Sequence, residues 1–293
     1  MEGRNLGKRP TSKSKFHFKC PPIFTAAYFG SVEIVKLIYQ LGEHCNPFFC
    51  CKNYYEKPIF VAIKNGHTEV AKFIADTPQE LKCQSVEYYS RHIPMSLAIW
   101  KRNFELVKFL VPRTPNLNYI NQRTLLHWAL RDYKIFKLLI SQPSVNPDIS
   151  DIFGQTPLQL LCDIEKDLSP EHVTEMVKIL VSKSNMNYLI GHVHPLHHAA
   201  KKGAMVALKA LCEFFDPNVQ DKDGNLPIDK AIFFDQVEAI KFLAPLTKEL
   251  KIPEKYKNRS KKYALKIMQS LIDERNRENS HPIVRKSKLN QIV

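Results

Sequence analysis

The feature that most constrains this chain is a pattern that recurs about every 34 residues along most of its length. Each copy has an often proline-led apolar start, then small residues a few positions later, then an apolar run that ends near a leucine. One copy cannot cover its own apolar face, so the series predicts a solenoid of stacked units and not a compact globule. The copies begin near Pro22, Pro58, Pro94, Leu125, Pro157, Pro195 and Pro227.

Each copy predicts a pair of short helices. Proline at the first helical position supplies a preset φ and has no N–H group to leave unsatisfied. The second helix repeats apolar residues at helical spacing, as Val70, Phe73 and Ile74 do in the second copy. Small residues stand where the two helices must approach each other closely, and these are Ala26, Ala62, Ala98 and Ala129.

Further motif residues connect the copies to a known family. In the fifth and seventh copies they are Asp151, Gly154, Thr156, Pro157, Leu158, Asp221, Gly224 and Pro227, and the sixth copy reads PLHHAAKKG from Pro195. The series resembles the ankyrin-repeat family, whose unit reads roughly D-x-x-G-x-T-P-L-H-x-A-A-x-x-G-H. The resemblance covers about 220 of the 293 residues. It implies an L-shaped unit of two antiparallel helices and a hairpin-like finger.

We therefore predict an all-α fold, an ankyrin-type solenoid of stacked helix pairs with short finger loops and a C-terminal capping helix. Two copies depart from the common length. The fourth is two residues short between Ala129 and Leu138, which predicts a tighter turn between its helices. The fifth carries about eight extra residues around Asp163–Thr174, between its helices.

The net charge of +14 is concentrated at the two ends of the chain. Residues 1–20 hold six Lys or Arg against one acid, residues 244–293 hold thirteen against five, and the middle is left at +1. This distribution argues against a charged groove that tracks phosphates through the repeats. We predict a basic flexible N-terminal tail at 1–20, an ankyrin-repeat domain at 21–243, a basic connector and capping helix at 244–278, and a basic tail at 279–293.

The basic ends leave two interpretations open. Short basic runs act as nuclear import signals or bind nucleic acid or acidic lipid electrostatically, and they are equally often solvated tails. The residues concerned are Lys8, Arg9, Lys261, Lys262, Arg285 and Lys286. Between them, Leu265, Met268, Leu271 and Ile272 share one face of the predicted capping helix.

Composition and motifs disfavour several function classes. No apolar run approaches the roughly 18 residues of a membrane span, and the first 20 residues lack an apolar signal core. Seven cysteines without regular spacing suit reduced thiols, so we expect a cytoplasmic and/or nuclear protein. The sequence has no Gly-rich phosphate loop and no Ser/His/Asp or Cys/His arrangement above chance, so we expect neither catalysis nor a cofactor.

The stretch HVHPLHHAA, from His192 to Ala200, places four histidines within seven residues. In the family register, His197 is the usual histidine that bonds to neighbouring backbone, and His194 replaces the threonine that caps the helix. Zinc requires ligands that converge at about 2 Å, whereas adjacent residues such as His197 and His198 point about 100° apart on a helix. We predict structural and surface roles for these histidines and no metal site.

The resemblance implies binding through the concave side, which consists of finger tips and the outer faces of first helices. Side chains that are large where the repeat is small or variable are candidate anchors, because Tyr, Trp and Arg are enriched at binding hot spots. We predict a protein-binding site centred on repeats 2–4, with Tyr55, Tyr88, Arg91, Trp100, Tyr119 and Trp128. The alternative is that these aromatics fill gaps between irregular repeats.

The function predicted is a non-catalytic scaffold that binds and regulates a protein partner. Family members include inhibitors of Rel-type transcription factors and substrate adaptors of ubiquitin ligases, and residues 244–293 show no convincing ligase-recruiting box. A second class is a nuclear, nucleic-acid-associated regulator whose basic tails contact phosphates while the repeats hold a protein.

Overall fold

The computed structural model describes residues 22–41, 57–77, 94–118, 120–185, 194–252 and 262–280. Almost all regular structure in these ranges is helical, and the helices come in pairs joined by short turns. A helix begins at every start that the sequence pattern indicates, and all but one of these starts is a proline. Because the proline ring fixes φ near its helical value, these residues determine where each pair begins.

The helices are numbered in chain order. The first three pairs are α1 (Pro22–Phe29) with α2 (Val32–Gln40), α3 (Pro58–Lys64) with α4 (Thr68–Ala75), and α5 (Pro94–Trp100) with α6 (Phe104–Leu110). Two strands of two residues, β1 (Ile120–Asn121) and β2 (Arg123–Thr124), precede α7 (Leu125–Ala129) and α8 (Tyr133–Ile140). The later pairs are α9 (Pro157–Ile164) with α10 (Pro170–Lys183), α11 (Pro195–Lys202) with α12 (Met205–Leu211), and α13 (Pro227–Phe233) with α14 (Val237–Leu243). A single helix, α15 (Lys262–Ser280), follows.

The described residues form two compact units. The first comprises the residues up to Asn121 together with Lys134–Gln142, and the second comprises Gln122–Tyr133 together with the residues from Pro143 onward. In the first unit α1, α3 and α5 pack side by side as one layer, and α2, α4 and α6 form the other. In the second unit α7, α9, α11 and α13 form one layer, and α10, α12 and α14 form the other.

Small side chains allow the helices within each layer to pack closely. Ala62, Ala98 and Ala129 have no exposed surface, and Ala26 is only 4% exposed. Within the pairs, apolar side chains at helical spacing face inward, so that Val70 and Ile74 of α4 are buried. The helical and apolar patterns predicted from the sequence are therefore the ones that form the core.

In five of the described helix pairs, the turn between the two helices holds one residue in the left-handed region of φ. In the first pair this residue is Gly30, where a Cβ would collide with the imidazole of His67. That imidazole is fixed in place by a 2.8 Å hydrogen bond to the carbonyl oxygen of Tyr28. The left-handed residues of these turns are Gly30 (φ 76°), Gly66 (81°), Arg102 (53°), Gly203 (64°) and Asp235 (60°).

The two copies of unusual length absorb the difference in different ways. In the fourth, the sequence predicted a tighter turn between the helices, but the structure shortens the first helix instead, because α7 has five residues and ends at Ala129. In the fifth, the extra residues are ordered into a 3-10 turn, Glu165–Asp167, and into the start of α10, which reaches 14 residues.

Helix α15 covers the exposed side of the last pair by packing against α13 and α14. Met268 is fully buried, as the apolar face predicts, and Ala264 is buried beside it. Arg275 donates hydrogen bonds to the carbonyl oxygens of Thr247 at 2.7 Å and Lys248 at 3.2 Å. Among the helices of the described ranges, none combines the length and the apolar character that a bilayer span requires.

A candidate partner-binding finger and its charged counterpart

A tight turn directly before α9 holds two large apolar side chains in solvent. This turn comprises residues 151–155 and is called the apolar finger below. Its Ile152 is 61% exposed and its Phe153 is 67% exposed. Oδ1 of Asp151 accepts the N–H groups of Phe153 at 2.9 Å and Gln155 at 3.0 Å. The N–H of Asp151 donates to the carbonyl oxygen of Gln155 at 2.8 Å, and Gly154 closes the turn with a φ of 74°.

Further contacts hold the base of the apolar finger. The N–H of Ile152 donates to the carbonyl oxygen of Gln122 at 2.9 Å. Oδ2 of Asp151 lies 3.4 Å from Nε of Arg123, and the Asp151 side chain has no exposed surface. The opposite charges of Asp151 and Arg123 offset each other at the base of the finger. The tip itself is apolar, since it consists of Ile152 and Phe153.

A second turn, residues 221–225 and called the charged finger below, has the same hydrogen bonds within the turn. Oδ1 of Asp221 accepts the N–H groups of Asp223 at 2.9 Å and Asn225 at 2.8 Å, and the N–H of Asp221 donates to the carbonyl oxygen of Asn225 at 2.9 Å. Gly224 has a φ of 72°. The exposed side chains that correspond to Ile152 and Phe153 are Lys222 and Asp223.

The carboxylate of Asp221 is fixed in its charged form. Partial burial raises its pKa, but hydrogen bonds from Lys230 and Asn225 outweigh that effect and hold the pKa well below its ordinary value. The distance from Nζ of Lys230 to Oδ2 of Asp221 is 2.6 Å. The two fingers thus share one geometry and differ in the chemistry of their tips.

A buried histidine of the preceding repeat connects each finger to a first helix. His127 of α7 donates from Nε2 to the carbonyl oxygen of Gln155 at 2.9 Å, and His197 of α11 donates to that of Asn225 at 2.8 Å. Burial lowers the pKa of both imidazoles from its ordinary value, which favours their neutral form. The backbone-bonding role that the family resemblance implied for His197 is confirmed.

His194 has the capping role expected of it. Its Nδ1 accepts the N–H of Leu196 at 3.2 Å at the start of α11, where the fifth repeat has Thr156. Its ring meets that of Phe215 edge-on with centroids 4.9 Å apart. Burial, with a smaller contribution from neighbouring His197, lowers the pKa of His194 to about 4.

His198 belongs to a network and does not face open solvent. Its Nε2 donates to Oδ1 of Asp163 at 2.8 Å, while Oδ2 of Asp163 accepts from Lys202 at 2.9 Å and Gln155 at 3.0 Å. His192 lies outside the described residues. Across the described part of the chain, His, Cys, Asp and Glu side chains form no group of three that could hold a metal ion.

Only two of the predicted partner anchors fall within the described residues. Trp100, at the end of α5 in the first unit, is 62% exposed, with Nζ of Lys101 5.0 Å from its ring centroid. Trp128, on α7 in the second unit, is half-buried. Lys262 begins α15. The other predicted anchors and basic residues lie outside the described residues, namely Tyr55, Tyr88, Arg91, Tyr119, Lys8, Arg9, Lys261, Arg285 and Lys286. The anchor set as a whole stays a prediction.

Ile152 and Phe153 are not among the anchors predicted from the sequence. They fill the variable positions between Asp151 and Gly154, whereas the finger anchors were predicted at the positions of the motif's Asp and Gly. A pair of large apolar residues at positions that the finger turns toward solvent was the signal that could have identified them.

Comparison with known proteins decides the family. The family described as ankyrin repeats (3 copies) matches residues 23–121 and 168–254, which together are more than half of the chain. The chain belongs to the ankyrin-repeat family. An ankyrin repeat-containing protein of Schizosaccharomyces pombe is 32% identical over 127 residues, which cover 41% of this chain and 52% of that protein. The chain thus spans about half the length of this ankyrin relative.

Solved ankyrin-repeat structures confirm the predicted fold class. The ankyrin repeat domain of Bcl-3, a member of the IkappaB protein family, has a TM-score of 0.57 and 18% identity, covering 75% of this chain and 98% of that one. The human ASB11 ankyrin repeat domain has a TM-score of 0.53 and 18% identity, covering 76% and 97%. The fold is the all-α ankyrin type. Ankyrin repeats are commonly protein-interaction scaffolds and are typically not catalytic.

Proposed function

We propose that this ankyrin-repeat chain is a non-catalytic scaffold that binds and regulates a protein partner through its finger tips and first helices. The observation that carries the proposal is Trp100, which leaves 62% of its surface in solvent at the end of a first helix. Covering the indole with a partner would remove apolar surface from water, which is favourable. Tryptophan is also the side chain most enriched where partner binding is strongest.

The position of Trp100 within its repeat supports a surface role over a packing role. The corresponding residue of the second repeat, Lys64, is also exposed, so this position faces solvent in both repeats. The indole therefore does not fill a gap between helices, which was the alternative interpretation for this residue. We retain the centre on repeats 2–4, with Tyr55, Tyr88, Arg91, Tyr119 and Trp128 as the other proposed anchors.

The partner class is part of the proposal. Inhibition of a Rel-type transcription factor and substrate delivery to a ubiquitin ligase are two versions of it. The names of the structural neighbours apply to those proteins, and at 18% identity they carry the fold alone. The identity of the proteins that the chain retains from a cell extract distinguishes the two versions.

The test is affinity capture with the full chain, followed by titration of the purified partner. Trp100→Ala should weaken binding at least about 10-fold, since hot-spot truncations cost about 1.4 kcal/mol or more. Lys64→Ala, at the corresponding exposed position, should leave the affinity unchanged. If the chain retains no protein specifically, the proposed function is wrong; if Trp100→Ala binds normally, the proposed centre is wrong.

A second candidate function is nucleic-acid association through the ends of the chain. The observation that favours it is the concentration of basic residues at 1–20 and 244–293, while the middle of the chain is nearly neutral. Electrostatic binding to phosphates through such segments depends steeply on salt.

A further inference from the structure

We propose that the apolar finger is an anchor that inserts Ile152 and Phe153 into an apolar cleft of a folded protein partner. This inference rests on the proposed function and assigns to it a second contact, in the second unit and separate from Trp100. The exposed surface, the rigidity and the charge of the finger all favour a folded protein with an apolar cleft as its partner.

The exposed surface is concentrated in two adjacent side chains. Ile152 and Phe153 leave 61% and 67% of their surfaces in solvent, whereas Leu158 and Leu160 a few residues later are buried. A Phe side chain presents on the order of 200 Å² for burial, and a stable interface uses about 800 Å² on each partner. The pair therefore supplies an anchor within a larger interface and not a whole interface.

The finger is held rigid before any partner arrives. Oδ1 of Asp151 accepts two backbone N–H groups of the turn, and the N–H of Ile152 is bound to the carbonyl oxygen of Gln122. His127 holds the carbonyl oxygen of Gln155 from the other side. Because the turn is already ordered, binding loses little conformational entropy, which is the condition under which a short protrusion binds strongly.

The charge around the tip selects a protein cleft over phosphate. Nε of Arg123 lies 3.4 Å from the buried Asp151 carboxylate at the base of the finger, so its charge is offset. The side chain of Gln155 is uncharged, and the Asp163 carboxylate that it contacts is itself paired with Lys202 at 2.9 Å. Nucleic acids and anionic membranes are held through unpaired Lys and Arg. A neutral convex tip instead matches an apolar cleft, the usual form of a protein pocket.

The charged finger supplies a matched variant. Residues 221–225 keep the same hydrogen bonds within the turn, with Lys222 and Asp223 at the tip. The double substitution Ile152→Lys with Phe153→Asp therefore copies a tip that this turn geometry already accommodates in the same chain. It should leave the helical circular dichroism signal and the unfolding midpoint unchanged, so that a loss of binding reports on the tip itself.

The experiment uses the full chain with a benzophenone amino acid in place of Phe153 and, as the control, in place of Asp223. After irradiation in cell extract, the cross-linked protein is identified by mass spectrometry, purified and titrated against unlabelled chains. We expect one protein to cross-link at position 153 and not at 223. We expect the double substitution to weaken its binding at least about 30-fold, while Lys222→Ala with Asp223→Ala changes it less than about threefold.

Several results would overturn this inference. They are equal cross-linking at both positions, cross-linking to a second copy of the chain, a signal that nuclease or lipid extraction removes, and unchanged affinity of the double variant. If Trp100→Ala weakens binding while the double variant does not, the finger is not an anchor and the proposed function stands. If the unmodified chain binds no protein, both proposals are wrong.

Discussion

At the scale of single residues, the left-handed turns of five helix pairs show where the chain departs from its own repeat. Three of these turns use glycine for the left-handed conformation, whereas Arg102 adopts a φ of 53° and Asp235 a φ of 60°. A side chain in this region is strained by about 1–2 kcal/mol, because its Cβ approaches the following carbonyl oxygen.

Arg102→Gly should therefore raise the free energy of unfolding by about 0.5–1 kcal/mol, the relief of strain being partly offset by the greater freedom of glycine in the unfolded chain. Urea unfolding measures the change. Gly66→Ala is the reverse control, since a Cβ there meets nothing within 4 Å and only backbone strain is added. A stability that is unchanged or lower in Arg102→Gly would contradict the argument.

The buried histidines make the second unit sensitive to acid. The pKa of His194 falls from 6.5 to about 4 on folding because of burial. Between these values the unfolded chain binds a proton that the folded chain does not, so stability is fully present above pH 6.5 and decreases as the pH falls toward 4.

His194→Thr should reduce this pH dependence. Thr156 already caps the corresponding helix in the fifth repeat, so threonine suits the position and does not titrate. The slope of unfolding free energy against pH, from 6 to 4.5, should become shallower by up to about 1.4 kcal/mol per pH unit. The readout is the slope from urea unfolding at several pH values, because the lost contact with Phe215 also changes the stability at each pH. An unchanged slope would show that His194 titrates normally.

Single-residue roles were predictable where a motif fixed them and not where the contact was distant. His197 and His194 could be assigned because their positions in the repeat determine their bonds. The pairing of His198 with Asp163 joins residues 35 positions apart and depends on the extra residues of the fifth repeat. Nothing in the local pattern indicates that contact.

At the scale of elements, the extra residues of the fifth repeat stabilise the next one. Helix α12 begins after Ala204, whose side chain cannot cap it. The buried carboxylate of Glu165 accepts the N–H groups of Ala207 at 2.9 Å and Val206 at 3.4 Å instead. Burial raises the pKa of Glu165 despite these bonds. An insertion that looked like a longer connection thus supplies a missing helix cap.

Glu165→Ala should lower the free energy of unfolding by about 1–2 kcal/mol, because it leaves buried N–H groups of α12 without an acceptor. Lys166→Ala changes the exposed neighbour in the same 3-10 turn and should have little effect. Thermal or urea unfolding measures both, and hydrogen exchange of the Ala207 amide localises the loss. Equal stability of the two variants would show that the cap contributes nothing.

Helix starts were the most predictable elements, because proline at the first helical position acts locally. The shortened α7 was not predictable, since removing two residues from a repeat can shorten either the turn or a helix. Packing in three dimensions decides between these outcomes. The positions of the fingers with Asp and Gly were predictable, but the capping of α12 by Glu165 of the preceding repeat was not.

At the scale of the whole molecule, the charge distribution separates the two candidate functions. The repeats between 21 and 243 carry a net charge of +1, and the ends carry the rest. Binding through the repeats should therefore depend weakly on salt, whereas binding through the ends should lose affinity steeply as salt rises.

A variant of the full chain with its terminal basic residues replaced by glutamine should bind the protein partner within about threefold of the unmodified chain, at salt concentrations from about 50 to about 200 mM. The replaced residues are Lys8, Arg9, Lys261, Lys262, Arg285 and Lys286. The measurement is the same titration that tests Trp100→Ala, repeated with a short DNA duplex as a second probe. Affinity for the protein partner that disappears with these charges would favour the nucleic-acid-associated function. The fold class of the whole chain was predictable because one pattern is repeated, whereas the partner depends on side chains that vary between repeats.

The hydrogen bonds at the base of the apolar finger also determine which helices bear a mechanical force applied to its tip. The N–H of Ile152 is bonded to the carbonyl oxygen of Gln122, and His127 is bonded to the carbonyl oxygen of Gln155. Two hydrogen bonds of the finger are therefore made to the repeat before it. A mechanical force applied to Phe153 is therefore transmitted to α7 as well as to α9. Separating one of these repeats from the other under such a force requires breaking these hydrogen bonds.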